Sequence, residues 1–171
     1  DNVVFMWGFA EPGAPFQHPG PVLCVTEGQP VTVILQNTLP EDVSIVFPGQ
    51  EGVTADGQPA QPQFDTAGTL VSLTKPAAAN GGSVTYSFVA SRPGTFLYQS
   101  GTNPAKQVNM GLFGALVVRP ARGAGYAYAA GDNQFNPTTE YLVLLSEIDP
   151  VLNQAVERGR PFNLANFKPR Y

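Results

Sequence analysis

Gly94-Thr95-Phe96-Leu97-Tyr98-Gln99-Ser100-Gly101, followed by Gly111-Leu112-Phe113-Gly114-Ala115-Leu116-Val117-Val118, is the stretch that decides how this chain folds. Two short runs rich in Phe, Tyr, Leu and Val, each opened by a glycine, read as β-strands over 95–99 and 112–119. Gly94 and Gly111 suit tight turns, and Gly114 lets neighbouring strands approach closely. The same patterning continues outward. Residues 3–9 are an apolar opening run, and residues 22–26 follow the turn Pro19-Gly20-Pro21. Residues 30–36 alternate Val31, Val33 and Leu35 with Thr32, Ile34 and Gln36. Residues 43–47 stop at Pro48-Gly49; residues 69–74 and 83–89 flank a turn-rich connection, with Val84, Tyr86 and Phe88 on one face. Residues 140–146 complete about nine strands, which predicts an all-β Greek-key sandwich or barrel.

One short C-terminal helix is expected over 149–159. Asp149 can cap it, Pro150 suits its first turn, Gly159 suits its exit, and Val151, Leu152, Ala155 and Val156 give it an apolar face. Long loops are expected at 49–67, 101–110 and 120–137, with Asp56-Gly57 a turn dipeptide whose Asp can bond its own downstream backbone. The tail from Arg160 carries Phe162, Leu164, Phe167 and Tyr171 without periodicity, and isolated apolar groups of this kind need something to cover. The domain reading is therefore residues 1–150 as the sandwich and 151–171 as helix and extended tail.

Composition narrows the function. The chain has 171 residues, 43% apolar and 13% charged, enough to bury its own core. A net charge of −4 with 9 scattered Lys and Arg gives no cationic surface for nucleic acid. No apolar run approaches the ~20 residues that span a bilayer. Cys24 is the single cysteine, so no intrachain disulfide can form. A start at Asp1 without Met fits a processed mature protein or an excised piece of a longer one.

The two quoted runs, together with Ser44-Ile45-Val46-Phe47-Pro48-Gly49 and the following Asp56-Gly57-Gln58-Pro59, resemble the first cupredoxin domain of a multicopper oxidase. That family usually reads S-I-H-W-H-G in the first stretch, then G-T-Y-W-Y-H-S-H ahead of G-L-x-G-A-L-x-V. The resemblance covers roughly residues 19–150 and implies a cupredoxin-like fold, copper in the parent protein, export to the periplasm or secretion, and a second cupredoxin domain beyond the tail. On the same resemblance the four family histidines fall on Val46, Pro48, Gln99 and Gly101. The blue-copper version of the domain places a His-Cys pair at Gln99 and Ser100, a later His near Gln107 and an axial Met at Leu112, with Met110 displaced from that position. None of these side chains supplies the imidazoles and thiolate that copper centres use. No metal is therefore expected at these positions, and Gln99, Ser100, Gln107 and Asn109 are expected to hydrogen-bond in place of metal–ligand bonds.

The remaining candidates are sparse. His18 is the single imidazole and lies six residues before Cys24; with Met110 they make a remote set for copper at an unfamiliar site. The run Val22-Leu23-Cys24-Val25 predicts a small buried thiol, and His18 a loop residue. A Ser-His-acid triad would have to use His18, and no G-x-S-x-G elbow is present. Glu147 and Asp149 read as a strand end and a helix cap rather than paired catalytic carboxylates, and Gly123-Ala124-Gly125 lacks the flanks of a phosphate loop. Tyr126, Tyr128 and Phe135 pin a long loop or form an aromatic patch. The sequence thus predicts a domain without catalytic or cofactor-binding residues, packing against neighbouring cupredoxin domains or sister subunits. The alternatives are a copper-binding oxidoreductase domain with a non-standard site, and a ligand- or protein-binding module built on residues 49–67 or the Tyr126/Tyr128 loop.

Overall fold

Alternation fixes two of the three seven-residue strands. In β2 (Pro30–Gln36) and β7 (Ser83–Val89) every second side chain turns inward, Val33 only partly buried, and the two pair antiparallel from Pro30↔Val89 to Gln36↔Ser83. The computed structural model describes residues 3–168 and contains nine strands among them. β1 is Leu23–Thr26, β3 and β4 are the two-residue strands Thr54–Ala55 and Gln58–Pro59, and β5 and β6 are Gln63–Phe64 and Leu70–Ser72. β8 (Gly94–Gln99) and β9 (Phe113–Arg119) complete the set. One sheet has the order β1-β9-β8, with β1 parallel to β9; the other has the order β2-β7-β3-β4, and β5-β6 is a separate ribbon. Val31, Leu35, Val84, Tyr86 and Phe88 from the second sheet meet Tyr98, Leu116 and Val118 from the first in one buried core. This is a β-sandwich.

Tyr98 shows how tightly the first sheet is set. It pairs with Gly114 across β8 and β9, and a Cβ at Gly114 would lie 2.4 Å from the phenol. The ring therefore crosses the neighbouring strand, and its hydroxyl donates to the Pro21 carbonyl at 2.7 Å. Only glycine allows that crossing.

Three runs that alternate like strands do not form them. Residues 3–9 are extended but irregular: Trp7 N–H bonds the Met110 carbonyl at 2.8 Å, and Asn153 Nδ2 donates to the Phe5 carbonyl at 2.7 Å. Residues 43–47 divide their partners, with Val43 bridging Ala77, Val46 bridging Gln99, and Ile45 N–H donating to the Tyr86 hydroxyl, so no ladder develops. Residues 140–146 form no strand either. The expected loops carry regular structure instead: β3, β4 and β5 lie within 49–67, and a single turn, α1 (Pro104–Gln107), lies within 101–110.

The C-terminal helix α2 (Pro150–Glu157) is capped as its sequence predicts. Asp149 accepts from Val151 N at 2.8 Å and Leu152 N at 3.4 Å, and its other oxygen accepts from Lys168 N at 2.8 Å. Leu152 is buried, worth about 1.5–3 kcal/mol, whereas Val151 is exposed. Phe162 and Phe167 pack against the core, while Leu164 is exposed; Tyr171 lies outside the described residues.

Tyr86 is the polar pin of the core. Fully buried, it donates to the Lys75 carbonyl at 2.6 Å and accepts from Ile45 N at 3.2 Å, and burial pushes its phenol up to about 12. Tyr86→Phe leaves both backbone groups unpartnered and should cost about 2 kcal/mol in urea denaturation. A loss below about 0.5 kcal/mol would show that water replaces the hydroxyl.

Candidate functional site

Val46 and Gln99 exchange both backbone hydrogen bonds, at 2.9 and 3.1 Å. This bridge sets the two motif stretches side by side. Gly101 N–H reaches toward the Ser44 carbonyl at 3.4 Å, while the Gly101 carbonyl accepts from Leu73 N at 2.9 Å. Three of the four positions that correspond to family histidines are therefore adjacent; Pro48 lies beyond the bridge on the exposed end of its segment.

No room is left between them. The Gly101 backbone is one that any L-residue adopts, yet a Cβ there would sit 2.8 Å from Val46 Cγ1, 2.9 Å from Ser44 Oγ and 3.2 Å from Leu73 Cβ. The valine and the serine occupy the space a side chain at 101 would need.

The polar groups behind this contact form a closed network. Ser44 Oγ, Ser72 Oγ and Thr102 Oγ1 make a triangle with edges of 3.0, 2.8 and 3.0 Å, in which each hydroxyl can donate once and accept once. Ser100 Oγ accepts from Thr102 N at 3.1 Å and donates to Gln107 Oε1 at 2.5 Å. Gln107 Nε2 then donates to Glu41 Oε1 at 2.8 Å and to the Asp42 carbonyl at 2.9 Å, and Glu41 is also paired with Lys106. Lys106 Nζ stands 5.1 Å from the centre of the buried Trp7 ring. Ser100 and Gln107 thus hydrogen-bond as expected, but Gln99 and Asn109 do not fill that role. No described residue hydrogen-bonds the Gln99 side chain, which lines a cavity of about 200 Å³ with Leu97, Val108, Phe113 and Leu144. Among the described residues, Asn109 Nδ2 bonds the Ala105 carbonyl of its own turn. Ser44, Ser72 and Thr102 were missed because up to 58 residues separate them in sequence.

The remote candidates stay apart. Met110 is fully buried among apolar side chains, and Leu112 is buried in the same core. Cys24 is exposed, contrary to the apolar look of its run: with a period of two, Leu23 and Val25 face the core and Cys24 faces outward. His18 is half-buried, edge-on to Phe113 at 5.2 Å, with Nε2 3.5 Å from Ser146 Oγ. Among the described residues, no group of three or more His, Cys, Asp or Glu is placed to hold a metal ion. Asp56 bonds Thr85 N across the sheet at 2.8 Å and pairs with Lys75, not with its own downstream backbone. Arg122 stacks on Tyr126 at 3.8 Å and Tyr126 bridges Gln134, so the aromatic loop is pinned.

A two-sheet sandwich with these paired stretches is a cupredoxin-like domain. Residues 16–123 match the multicopper oxidase family, and the chain belongs to that family. The match stops well short of residue 150. Among solved structures, a multicopper oxidase from Pseudomonas thermotolerans superposes with a TM-score of 0.52 at 25% identity, over 64% of this chain and 24% of that one. The multicopper oxidase mgLAC gives 0.51 and 27%, over 70% and 37%. The chain thus spans well under half the length of either. Curated protein sequences give no match to it. No helix among the described residues is long and apolar enough to cross a membrane.

Two predictions follow from the network and from His18. Gln107→Leu orphans the Asp42 carbonyl and one Glu41 oxygen and should cost about 2 kcal/mol in chemical denaturation, whereas Gln99→Leu should stay within about 0.5 kcal/mol. Equal losses would mean that Gln99 carries the site after all. Burial lowers the His18 pKa from its ordinary 6.5, so the unfolded chain takes up a proton before the folded one does. Stability should be flat well above 6.5 and begin to decline as pH falls through 6.5, and His18→Gln should remove the onset of that decline.

Proposed function

We propose that this chain is a copper-free structural domain of a multicopper-oxidase-type protein, whose task is to pack against neighbouring cupredoxin domains or sister subunits. Any oxidase chemistry then belongs to copper held elsewhere in the parent protein. The observation that carries this reading is the contact at Gly101: Val46 and Ser44 fill the position from which a ligand would project. The chemistry of the donor set agrees. Val46, Pro48, Gln99 and Gly101 present no imidazole, and Ser100, Gln107 and Leu112 stand where a blue-copper centre would place thiolate, imidazole and thioether. Copper does not fit these residues. The rival set of His18, Cys24 and Met110 is disfavoured because Met110 is sealed in the core while Cys24 faces outward from β1. Export to the periplasm or beyond follows from the family resemblance and belongs to the same proposal.

Copper loading followed by desalting, with metal content by mass spectrometry and a visible spectrum, tests the reading directly. Less than about a tenth of an equivalent and no absorption band in the blue-copper region is the expected result. Stoichiometric copper would overturn it, and His18→Ala with Cys24→Ser would then locate the metal.

A further inference from the structure

His18 is the one imidazole of the chain, and three segments close around its ring. Gly111 makes the slot: a Cβ there would stand 3.0 Å from His18 Nδ1 and would collide with the Trp7 carbonyl oxygen. Phe113, at the start of β9, meets the ring edge-on at 5.2 Å, and Ser146 Oγ lies 3.5 Å from Nε2. The ring is thus wedged between the N-terminal arm, the turn before β9 and the segment that runs on to α2. Nδ1 is buried there, with no hydrogen-bond partner among the described residues. A neutral imidazole meets these conditions with Nε2–H turned to Ser146 and a lone pair on Nδ1. An imidazolium does not. Both its nitrogens are donors, and a charged N–H at Nδ1 would be buried with nothing to accept it.

We propose that His18 is a pH-operated latch: its neutral ring holds the slot shut, and its protonated ring swings out and frees the segment around Ser146 while the sandwich stays folded. Residues 144–147 form one wall of the cavity beside Gln99, Val108 and Phe113, so their release widens access to the Gln99 side chain. The segment can lift without the sheets, because it belongs to neither of them. Tyr141, Leu142, Val143 and Leu145 are all exposed, and little buried apolar surface is lost when it moves. Opening of this kind costs less than global unfolding. No charge within the slot offsets burial. The arm over residues 3–9 and the turn over 108–111 carry no ionisable side chain. Lys106, over the Trp7 ring, is paired with Glu41, and Arg119, at the far end of β9, is paired with Glu140. Asp149 is committed to the cap of α2 and to Lys168 N. Glu11, in the loop that carries His18, and Tyr141 and Glu147, in the segment that carries Ser146, are exposed. Burial is accordingly what lowers the His18 pKa, and the latch opens below the ordinary 6.5 of an imidazole rather than above it.

Nuclear magnetic resonance on the 171-residue chain between about pH 8 and pH 5 tests it, since one histidine and one tryptophan give one imidazole and one indole signal. The His18 Cε1–H resonance should titrate with a midpoint below 6.5 and lose its cross-relaxation with the Phe113 ring as it does so. The amides of residues 144–147 should shift with the same midpoint, while far-UV circular dichroism and the amides of β2 and β7 stay unchanged. In His18→Gln, uncharged throughout, the amides of 144–147 should hold constant over the range. A protonated ring that keeps its contact with Phe113 overturns the proposal, because the slot then tolerates the charge. A midpoint at or above 6.5 overturns it too, as does loss of the β2 and β7 signals at the His18 midpoint, which is global unfolding. Movement confined to the Trp7 indole, with 144–147 still, would show the imidazolium turning to the Trp7 carbonyl and tightening the arm instead. A pH dependence of 144–147 that survives in His18→Gln would assign it to another group. Should that variant not fold, the titration of the unaltered chain decides alone.

Discussion

Two backbone hydrogen bonds between Val46 and Gln99 carry an unusual share of this structure. They fasten the 43–48 segment, which has no ladder of its own, to the edge of the three-stranded sheet. With that edge fixed, Phe47 is set between the sheets, 4.9 Å from Phe88 and 6.1 Å from Tyr86 by ring centres. Ser44 is brought to Ser72 and Thr102, and Gly101 is pressed against Val46. Core packing, the hydroxyl triangle and the filled ligand position are consequences of one register.

A metal centre and a hydrogen-bond network solve a similar problem, the joining of distant loops at one point, at different cost. Metal–ligand bonds are individually strong, and a few of them hold a site. Hydroxyls and amides each contribute about 1 kcal/mol net and must all be satisfied when buried. The chain from Thr102 through Ser100 and Gln107 to Glu41 meets that demand with neutral groups, and it meets solvent only at the partly exposed Glu41–Lys106 pair. The network therefore stiffens the loop without placing an unpaired charge inside.

Much of the sandwich was legible because alternation and punctuation are local. Residues 30–36 and 83–89 emerged with their predicted bounds, and the Asp149 cap was read from its own turn. The failures share a cause. A period of two states that a strand is possible but not that a partner is present, and residues 3–9, 43–47 and 140–146 lack a continuous one. Cys24 was misplaced because its apolar neighbours hid which phase of the alternation faced inward. The ligand positions were found through resemblance to a family. The serine and threonine network around them was not, since contacts across tens of residues leave no mark in any window of sequence.

The contact between Gly101 and Val46 also limits the paths by which this sequence can change. A side chain at 101 would meet Val46, Ser44 and Leu73 within 3.2 Å, so position 101 accepts one only where those neighbours give way. Substitutions at 101 and at the residues it touches should be non-additive, with a histidine at 101 costing less against a background already altered at 46 or 44. Change at 101 thus depends on what its neighbours already are, so the order in which substitutions arise matters at this position.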